Sequence, residues 1–164
     1  MKKALIGIVA VLALAGLGIW QFSASAQSAP NVTFTSLTGE KITTQELRGK
    51  VVLVKFWATS CVTCIAQMPD TIQNYNDLKG KGFDTIAVAM QYDPPNYVKN
   101  YAETRKLPFT VAIDAQGEIA KAFGDVQLTP TAFLIDKEGH IIKRYLGNYD
   151  KASFLSTVNK ALAS

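Results

Sequence analysis

The chain has 164 residues, of which 48% are hydrophobic and 18% charged, a composition that suits one globular domain with an additional apolar segment. Of its 17 basic side chains, Lys2 and Lys3 stand at the amino end, and the remaining 15 nearly balance the 13 acidic ones. This balance excludes the strongly basic surface of a nucleic-acid-binding protein.

Residues 1–26 have the pattern of a targeting segment. The first three residues, MKK, form a basic start, and residues 4–20 contain no charged or strongly polar side chain. The small residues ASA at 24–26 offer a cleavage site. Two outcomes stay open: a signal peptide removed after Ala26, or an anchor helix, since the 17 apolar residues would span about 26 Å. Either outcome delivers the rest of the chain across a membrane and leaves the basic start in the cytoplasm.

The next stretches predict the start of a single domain over residues 32–164. Residues 27–31 are small and polar and predict a linker. The stretch VTFTSLTGEKIT (32–43) alternates around a Thr-Gly pair and predicts a β-hairpin, and TTQELRGK (43–50) predicts a short helical turn. The β-branched run VVLVKFW (51–57) is typical of a buried central strand.

A helix is predicted from Cys61 to about Leu78, because apolar residues recur there every three or four positions. We expect Pro69 to kink this helix and Gly80 and Gly82 to end it.

The remainder of the chain predicts alternating strands and helices. After the strand 83–90 comes a helix with Asp93 as its candidate cap, and then the strand FTVAID and a short helix ended by Gly124. TAFLID and HIIKRYLG predict an antiparallel hairpin, and KASFLSTVNKALA predicts a closing amphipathic helix. This order predicts an α/β fold: a central mixed sheet with helices on both faces.

Both cysteines of the chain, Cys61 and Cys64, are spaced Cys-x-x-Cys between the buried strand and the helix. This spacing in a β-α-β context is typical of a redox pair, and a disulfide that closes so short a loop is a poor structural staple. The first turn of a helix presents unpaired N–H groups and a positive dipole end, which favour a thiolate. We therefore expect Cys61 to be the nucleophile and Cys64 the more enclosed resolving thiol.

Metal binding and peroxide chemistry are the alternatives for this cysteine pair. A structural zinc site needs four ligands, and the chain has no second cysteine pair and a single histidine, so we assign no metal ligands. Cys61 and Cys64 could hold Cu(I) in a copper-delivery protein, although the spacing of Met68 predicts a core residue rather than a third ligand. A thiol peroxidase is disfavoured because both cysteines form one vicinal pair.

Thr129 and Pro130 stand immediately before the apolar strand TAFLID. Proline cannot donate a hydrogen bond within a central strand, so we expect it at the strand start. A cis peptide bond there would turn the Thr129 backbone toward the cysteines and offer it to an extended substrate. From these residues alone, cis is the minority outcome.

These motifs resemble the thioredoxin superfamily, in its exported TlpA/ResA-like branch, over residues 30–164. The resemblance is carried by FWAT before CVTC, Pro69 five residues past the second cysteine, Pro130 before TAFLID, and the hairpin DKEGHII. It implies a thioredoxin-like fold with an N-terminal hairpin extension, and a membrane-tethered or periplasmic thiol-disulfide oxidoreductase, often a reductase. It also implies a transmembrane electron donor of the DsbD/CcdA type, and clients such as apocytochrome c and copper-centre assembly proteins.

The resemblance assigns roles to single residues. Cys61 becomes the attacking thiol, Cys64 the resolving thiol and Pro130 the cis-proline that faces them, with Trp57 and Thr129 as further substrate contacts. No cofactor is expected besides the redox-active disulfide itself.

Three positions depart from the family pattern. Ser60 stands where many relatives have tryptophan, Thr63 where many have proline, and Lys55 where relatives have aspartate or asparagine. Thr63 supplies a hydroxyl and an N–H that could favour the thiolate. Lys55 either extends to solvent along an apolar surface or points under Cys64, where it could modulate thiolate formation.

Overall fold

The computed structural model describes residues 27–164, so the predicted targeting segment lies outside the described residues. Within this range, no helix combines the length and apolar character needed to cross a bilayer.

The predicted linker is part of the folded domain. The N–H of Ile141 donates to the carbonyl of Gln27 at 2.8 Å, and the N–H of Ala29 donates to the carbonyl of Gly139 at 2.9 Å. Ser28 forms a bridge with His140 between these two bonds. Residues 27–29 therefore extend the hairpin at one end of the main sheet, and the prediction of a free linker is wrong there because its small side chains allow strand pairing.

The central sheet has five strands in the order β5-β4-β3-β6-β7. Strands β3, β4 and β5 are parallel, whereas β6 is antiparallel to β3 and β7 is antiparallel to β6, which confirms the predicted mixed sheet. All seven residues of β3 are buried because the sheet is covered on both faces. The strands are β3 (Val51–Trp57), β4 (Phe83–Ala89), β5 (Thr110–Ile113), β6 (Thr131–Ile135) and β7 (Ile141–Leu146).

Within residues 27–164, four α-helices flank the sheet: α1 (Val62–Leu78), α2 (Pro95–Arg105), α3 (Glu118–Ala122) and α4 (Lys151–Ala163). Alternate residues of β3 face opposite sides. Val52, Val54 and Phe56 pack in a cluster that includes residues of α3, whereas Val51 and Leu53 pack in a cluster with α4. Helix α1 continues through Pro69 to Leu78, as its apolar spacing predicted.

The N-terminal hairpin pairs β1 (Thr33–Thr35) with β2 (Lys41–Thr43), as predicted. Its Phe34 is fully buried in the core, and the N–H of Leu37 donates to the carbonyl of Val111 at 3.1 Å. The hairpin thus covers the otherwise open edge of β5.

The segment after the hairpin, residues 44–50, forms consecutive turns rather than the predicted helical turn. The carboxylate of Glu46 accepts hydrogen bonds from both the N–H and the hydroxyl of Thr43, each at 2.7 Å. Gly49 then takes a φ of 83°, which a continuing right-handed helix does not allow.

Candidate active site

Cys61 and Cys64 form a disulfide whose Cα atoms lie 5.2 Å apart. Cys61 is the N-cap residue of α1, with an extended backbone, and its Sγ accepts a hydrogen bond from the N–H of Cys64 at 3.1 Å. Cys61 is half-buried, whereas Cys64 is 0% exposed. Cys61 is therefore the more accessible of the two cysteines.

The position of Cys61 favours its thiolate once the disulfide is reduced. The sulfur lies at the positive end of the α1 dipole and accepts a hydrogen bond from the Cys64 N–H, and the first turn of α1 contains no acidic residue that would oppose a negative charge. Thr63 is half-buried, and within the described chain no hydrogen bond joins it to the sulfur, because the N–H that reaches Sγ belongs to Cys64. An influence of Thr63 on Cys61 stays a prediction.

The Thr129–Pro130 peptide bond is cis. Pro130 is buried and Thr129 is half-buried, and the carbonyl of Pro130 accepts a hydrogen bond from the N–H of Gly147 at 2.8 Å. Thr131 pairs in register with Phe56, which is five residues before Cys61. The segment 129–130 therefore lies at the same end of the sheet as the disulfide, where its backbone could meet an extended substrate.

Trp57, expected as a substrate contact, is a core residue in this structure. Its side chain is 0% exposed, and its ring packs against that of Tyr101 with centroids 5.3 Å apart. The side chain offers no surface to a substrate because α1 and α2 cover this part of β3.

Asp93 holds the loop that leads to Cys61. One carboxylate oxygen accepts from the N–H of Thr59 and the other from the hydroxyl of Thr59, both at 2.6 Å, and Asp93 is only 2% exposed. The prediction that Asp93 caps α2 is wrong, since Pro94 occupies the N-cap position without a side-chain hydrogen bond. One feature of the sequence could have predicted the contact of Asp93 with the loop before Cys61. Asp93 follows β4, which is parallel to β3, and neighbouring parallel strands end at the same edge of a sheet.

An apolar rim lies at the end of the sheet that carries the disulfide. We give this name to four exposed side chains: Val62, Tyr92, Leu128 and Leu146, which are 83%, 54%, 64% and 58% exposed. Val62 lies between the cysteines, Leu128 precedes the cis peptide bond, and the hydroxyl of Tyr92 lies 3.3 Å from that of Thr129. The rim is suited to binding apolar side chains next to a disulfide.

Lys55 is fully buried, at 0% exposed, so the prediction that it extends to solvent is wrong. Its ammonium donates to Gln67 Oε1 at 2.8 Å and to Thr71 Oγ1 at 3.2 Å, and it lies 5.8 Å from the ring centroid of Tyr149. Desolvation lowers the pKa of Lys55 to about 8, against a smaller opposing effect of Asp70. No hydrogen bond joins Lys55 to either cysteine in the described chain.

The third ligand considered for copper lies in the core: Met68 is 1% exposed and packs in the cluster that contains Trp57. Within residues 27–164, no group of three or more histidine, cysteine, aspartate or glutamate side chains is placed to hold a metal ion.

Comparisons with known proteins agree with this geometry. The Redoxin family model matches residues 24–162. Thiol-disulfide oxidoreductase ResA of Bacillus thuringiensis subsp. konkukian is 40% identical over 125 residues, covering 76% of this chain and 71% of the relative. ResA of Geobacillus thermodenitrificans is 31% identical over 153 residues, covering 88% and 87%.

A solved structure supports the same assignment. The crystal structure of a thiol:disulfide interchange protein from Chlorobium tepidum TLS has a TM-score of 0.77 at 30% identity, covering 85% of this chain and 99% of that one. With a helix-capping Cys-x-x-Cys disulfide in a thioredoxin-like fold, the chain belongs to the Redoxin family, as a ResA-like thiol-disulfide oxidoreductase.

Proposed function

We propose that this protein reduces disulfides of client proteins on the periplasmic side of the bacterial inner membrane. It acts there either tethered by residues 1–26 or released after Ala26. The observation that carries the proposal is the pairing of an accessible Cys61 with a buried Cys64 at the amino end of α1, beside the Pro130 segment.

The reaction proceeds in two exchange steps. The Cys61 thiolate attacks one sulfur of the client disulfide, forming a mixed disulfide and releasing the first client thiolate. Cys64 then loses its proton and attacks the Cys61 sulfur, which releases the second client thiolate. The client gains two electrons and the protein ends as the Cys61–Cys64 disulfide, the state described here.

The client lies against the Thr129 backbone and the apolar rim. An extended segment next to the client disulfide pairs with the exposed backbone at Thr129, and its apolar side chains contact Val62 and Leu128. Apocytochrome c and copper-centre assembly proteins are the client classes that we propose from the resemblance. The oxidised protein then recovers two electrons from a transmembrane donor of the DsbD/CcdA type.

Trapping tests the proposal. Cys64→Ser leaves Cys61 able to attack but removes the resolving thiol, so clients should accumulate as mixed disulfides that reducing agent releases and mass spectrometry identifies. The matched control is Cys61→Ser, which should trap none. An equal set of proteins on both variants, or none on Cys64→Ser, would contradict a client-reducing role.

The reduction potential tests the direction of electron flow. We expect a value more negative than about −200 mV, in the range of reductants. A value near about −120 mV would identify an oxidase instead. Equilibration with glutathione buffers, followed by alkylation of free thiols, measures it.

A further inference from the structure

The hydrogen bonds of Lys55 continue, through two other residues, to the cis-proline segment. We propose that Lys55 is a positioning residue that holds the Pro130 segment in place opposite the cysteines, acting through Gln67 and Gly147 rather than on a sulfur atom. The inference rests on the proposed function, in which the Pro130 segment receives the client.

Lys55 fixes the orientation of the Gln67 side-chain amide. A lysine ammonium has only donors, so the atom of Gln67 that faces it at 2.8 Å must be the carbonyl oxygen. The amide nitrogen then points away from Lys55, where it donates to the Gly147 carbonyl at 3.2 Å and to Asn148 Oδ1 at 2.8 Å. Lys55 thereby selects the one amide orientation that joins α1 to the loop after β7.

The backbone of Gly147 forms two hydrogen bonds, one to Gln67 and one to Pro130. The Gly147 carbonyl accepts a hydrogen bond from the Gln67 amide, and the Gly147 N–H donates to the Pro130 carbonyl at 2.8 Å. Two residues further along, the Tyr149 ring packs over the Lys55 ammonium. The loop that supports Pro130 is thus attached to the Lys55 site on both sides of Asn148.

The contacts of the Lys55 ammonium favour a positioning role over a direct electrostatic effect on a sulfur atom. The partners of the Lys55 ammonium are Gln67, Thr71 and Tyr149, and no hydrogen bond joins it to a cysteine in the described chain. The proposal predicts that loss of Lys55 changes how a polypeptide meets the Pro130 segment and leaves the Cys61 thiolate as it was. A small disulfide that does not reach this segment should react normally.

The experiment compares two probes on the reduced full-length protein: a peptide disulfide of sequence Cys-x-x-Cys-His and the small reagent 5,5′-dithiobis(2-nitrobenzoate). In Lys55→Met and in Gln67→Leu, the rate constant with the peptide should fall about five- to tenfold, as expected for the net loss of one ordinary hydrogen bond. The rate with the small reagent and the pH titration of the Cys61 thiolate should not change. The double variant should be no slower than either single variant, because both remove the same connection.

Two further variants control for a loss of rate that is caused by misfolding. Thr71→Val removes the other oxygen partner of Lys55 but leaves the Gln67 connection, so its peptide rate should stay near that of the wild type. Asn148→Ala changes an exposed side chain and removes one of the two acceptors of the Gln67 amide, so it should fold normally and slow the peptide less than Gln67→Leu does.

Three results would overturn the inference. In the first, Lys55→Met shifts the Cys61 titration and slows both probes equally, which indicates an electrostatic effect on the sulfur. In the second, Lys55→Met and Gln67→Leu both react with the peptide at the wild-type rate. In the third, the wild-type protein reacts with the small reagent but does not reduce the peptide disulfide, which overturns the proposed reductase function and this inference with it.

Discussion

The ammonium group of Lys55 occupies an interior site where a cation is normally destabilising. Its two hydrogen bonds and the Tyr149 ring offset part of the desolvation cost, but burial still lowers the pKa of Lys55 from 10.5 to about 8. A buried lysine of this kind is retained at a cost in stability, which fits a role in holding neighbouring groups rather than in packing.

The lowered pKa of Lys55 predicts how stability depends on pH. Between about pH 8 and 10.5 the unfolded chain still holds a proton that the folded protein has lost, so stability should rise with pH across this window. Relative to Lys55→Met, the free energy of unfolding of the oxidised wild type should rise by up to about 3 kcal/mol. Urea unfolding of both proteins at several pH values from 7 to 10.5 measures the difference, and a difference that is independent of pH would contradict the prediction.

Asp93 and Thr59 allow a second test at the level of residues. Asp93→Ala removes both acceptors and leaves the Thr59 N–H without its partner, so it should destabilise the oxidised protein by about 2–3 kcal/mol. Thr59→Val removes only the hydroxyl bond and should cost about 1 kcal/mol. Urea unfolding measures both, and equal effects of the two variants would show that the N–H bond contributes nothing.

At the level of elements, α1 presents two different inner faces. Met68 and Cys64 pack in the cluster that contains Val98 of α2, while Thr71 and Asn74 form a second buried line that is polar. Gln67 belongs to this second line, which is how α1 can meet Lys55 on β3. The helix that carries the resolving cysteine thus also carries the partners of the buried lysine.

The N-terminal hairpin should be essential to the stability of the domain. Phe34→Ala would leave a cavity in the main core and should cost about 3–5 kcal/mol, because Phe34 is fully buried among residues of the central sheet. Thr35→Ala, on the exposed side of the same strand, is the matched control and should change stability by no more than about 0.5 kcal/mol. Chemical denaturation measures both variants; a small effect of Phe34→Ala would show that the hairpin is dispensable.

At the level of the whole molecule, the described chain begins at the end of the sheet opposite the active site. Gln27 pairs with Ile141, which lies beside Ile135 at the far end of β6, whereas Thr131 begins β6 near the cysteines. The seven residues of β3 separate the two ends by about 20 Å. If residues 1–26 anchor the protein, we expect Cys61 to face away from the lipid surface and toward soluble clients.

Fluorescence quenching tests this orientation. In the full-length protein reconstituted in vesicles with nitroxide-labelled headgroups, a fluorescent amino acid at Glu138, near the entry of the chain, should be quenched strongly. The same amino acid at Leu128, in the apolar rim, should be quenched weakly, because the sheet lies between it and the bilayer. Both positions have exposed side chains, so each tolerates the label. Equal quenching at both positions would contradict the orientation.

Local patterns in the sequence are enough to predict the main strands and helices and the redox chemistry of the cysteine pair. Apolar periodicity predicts β3 and α1, and the Cys-x-x-Cys spacing between them predicts the redox pair, because these signals depend on residues close together in the chain. The hydrogen-bond partners of Lys55, Asp93 and Gln67 are visible only in the folded structure, because each partner is distant in the chain. Gln67 lies 12 positions from Lys55, Thr59 lies 34 positions from Asp93, and Gly147 lies 80 positions from Gln67. The tertiary structure also decided that Trp57 is covered and that residues 27–29 pair with the sheet. The physical reason is that sheet register and helix packing bring distant polar groups together, and no local pattern specifies which of them will meet.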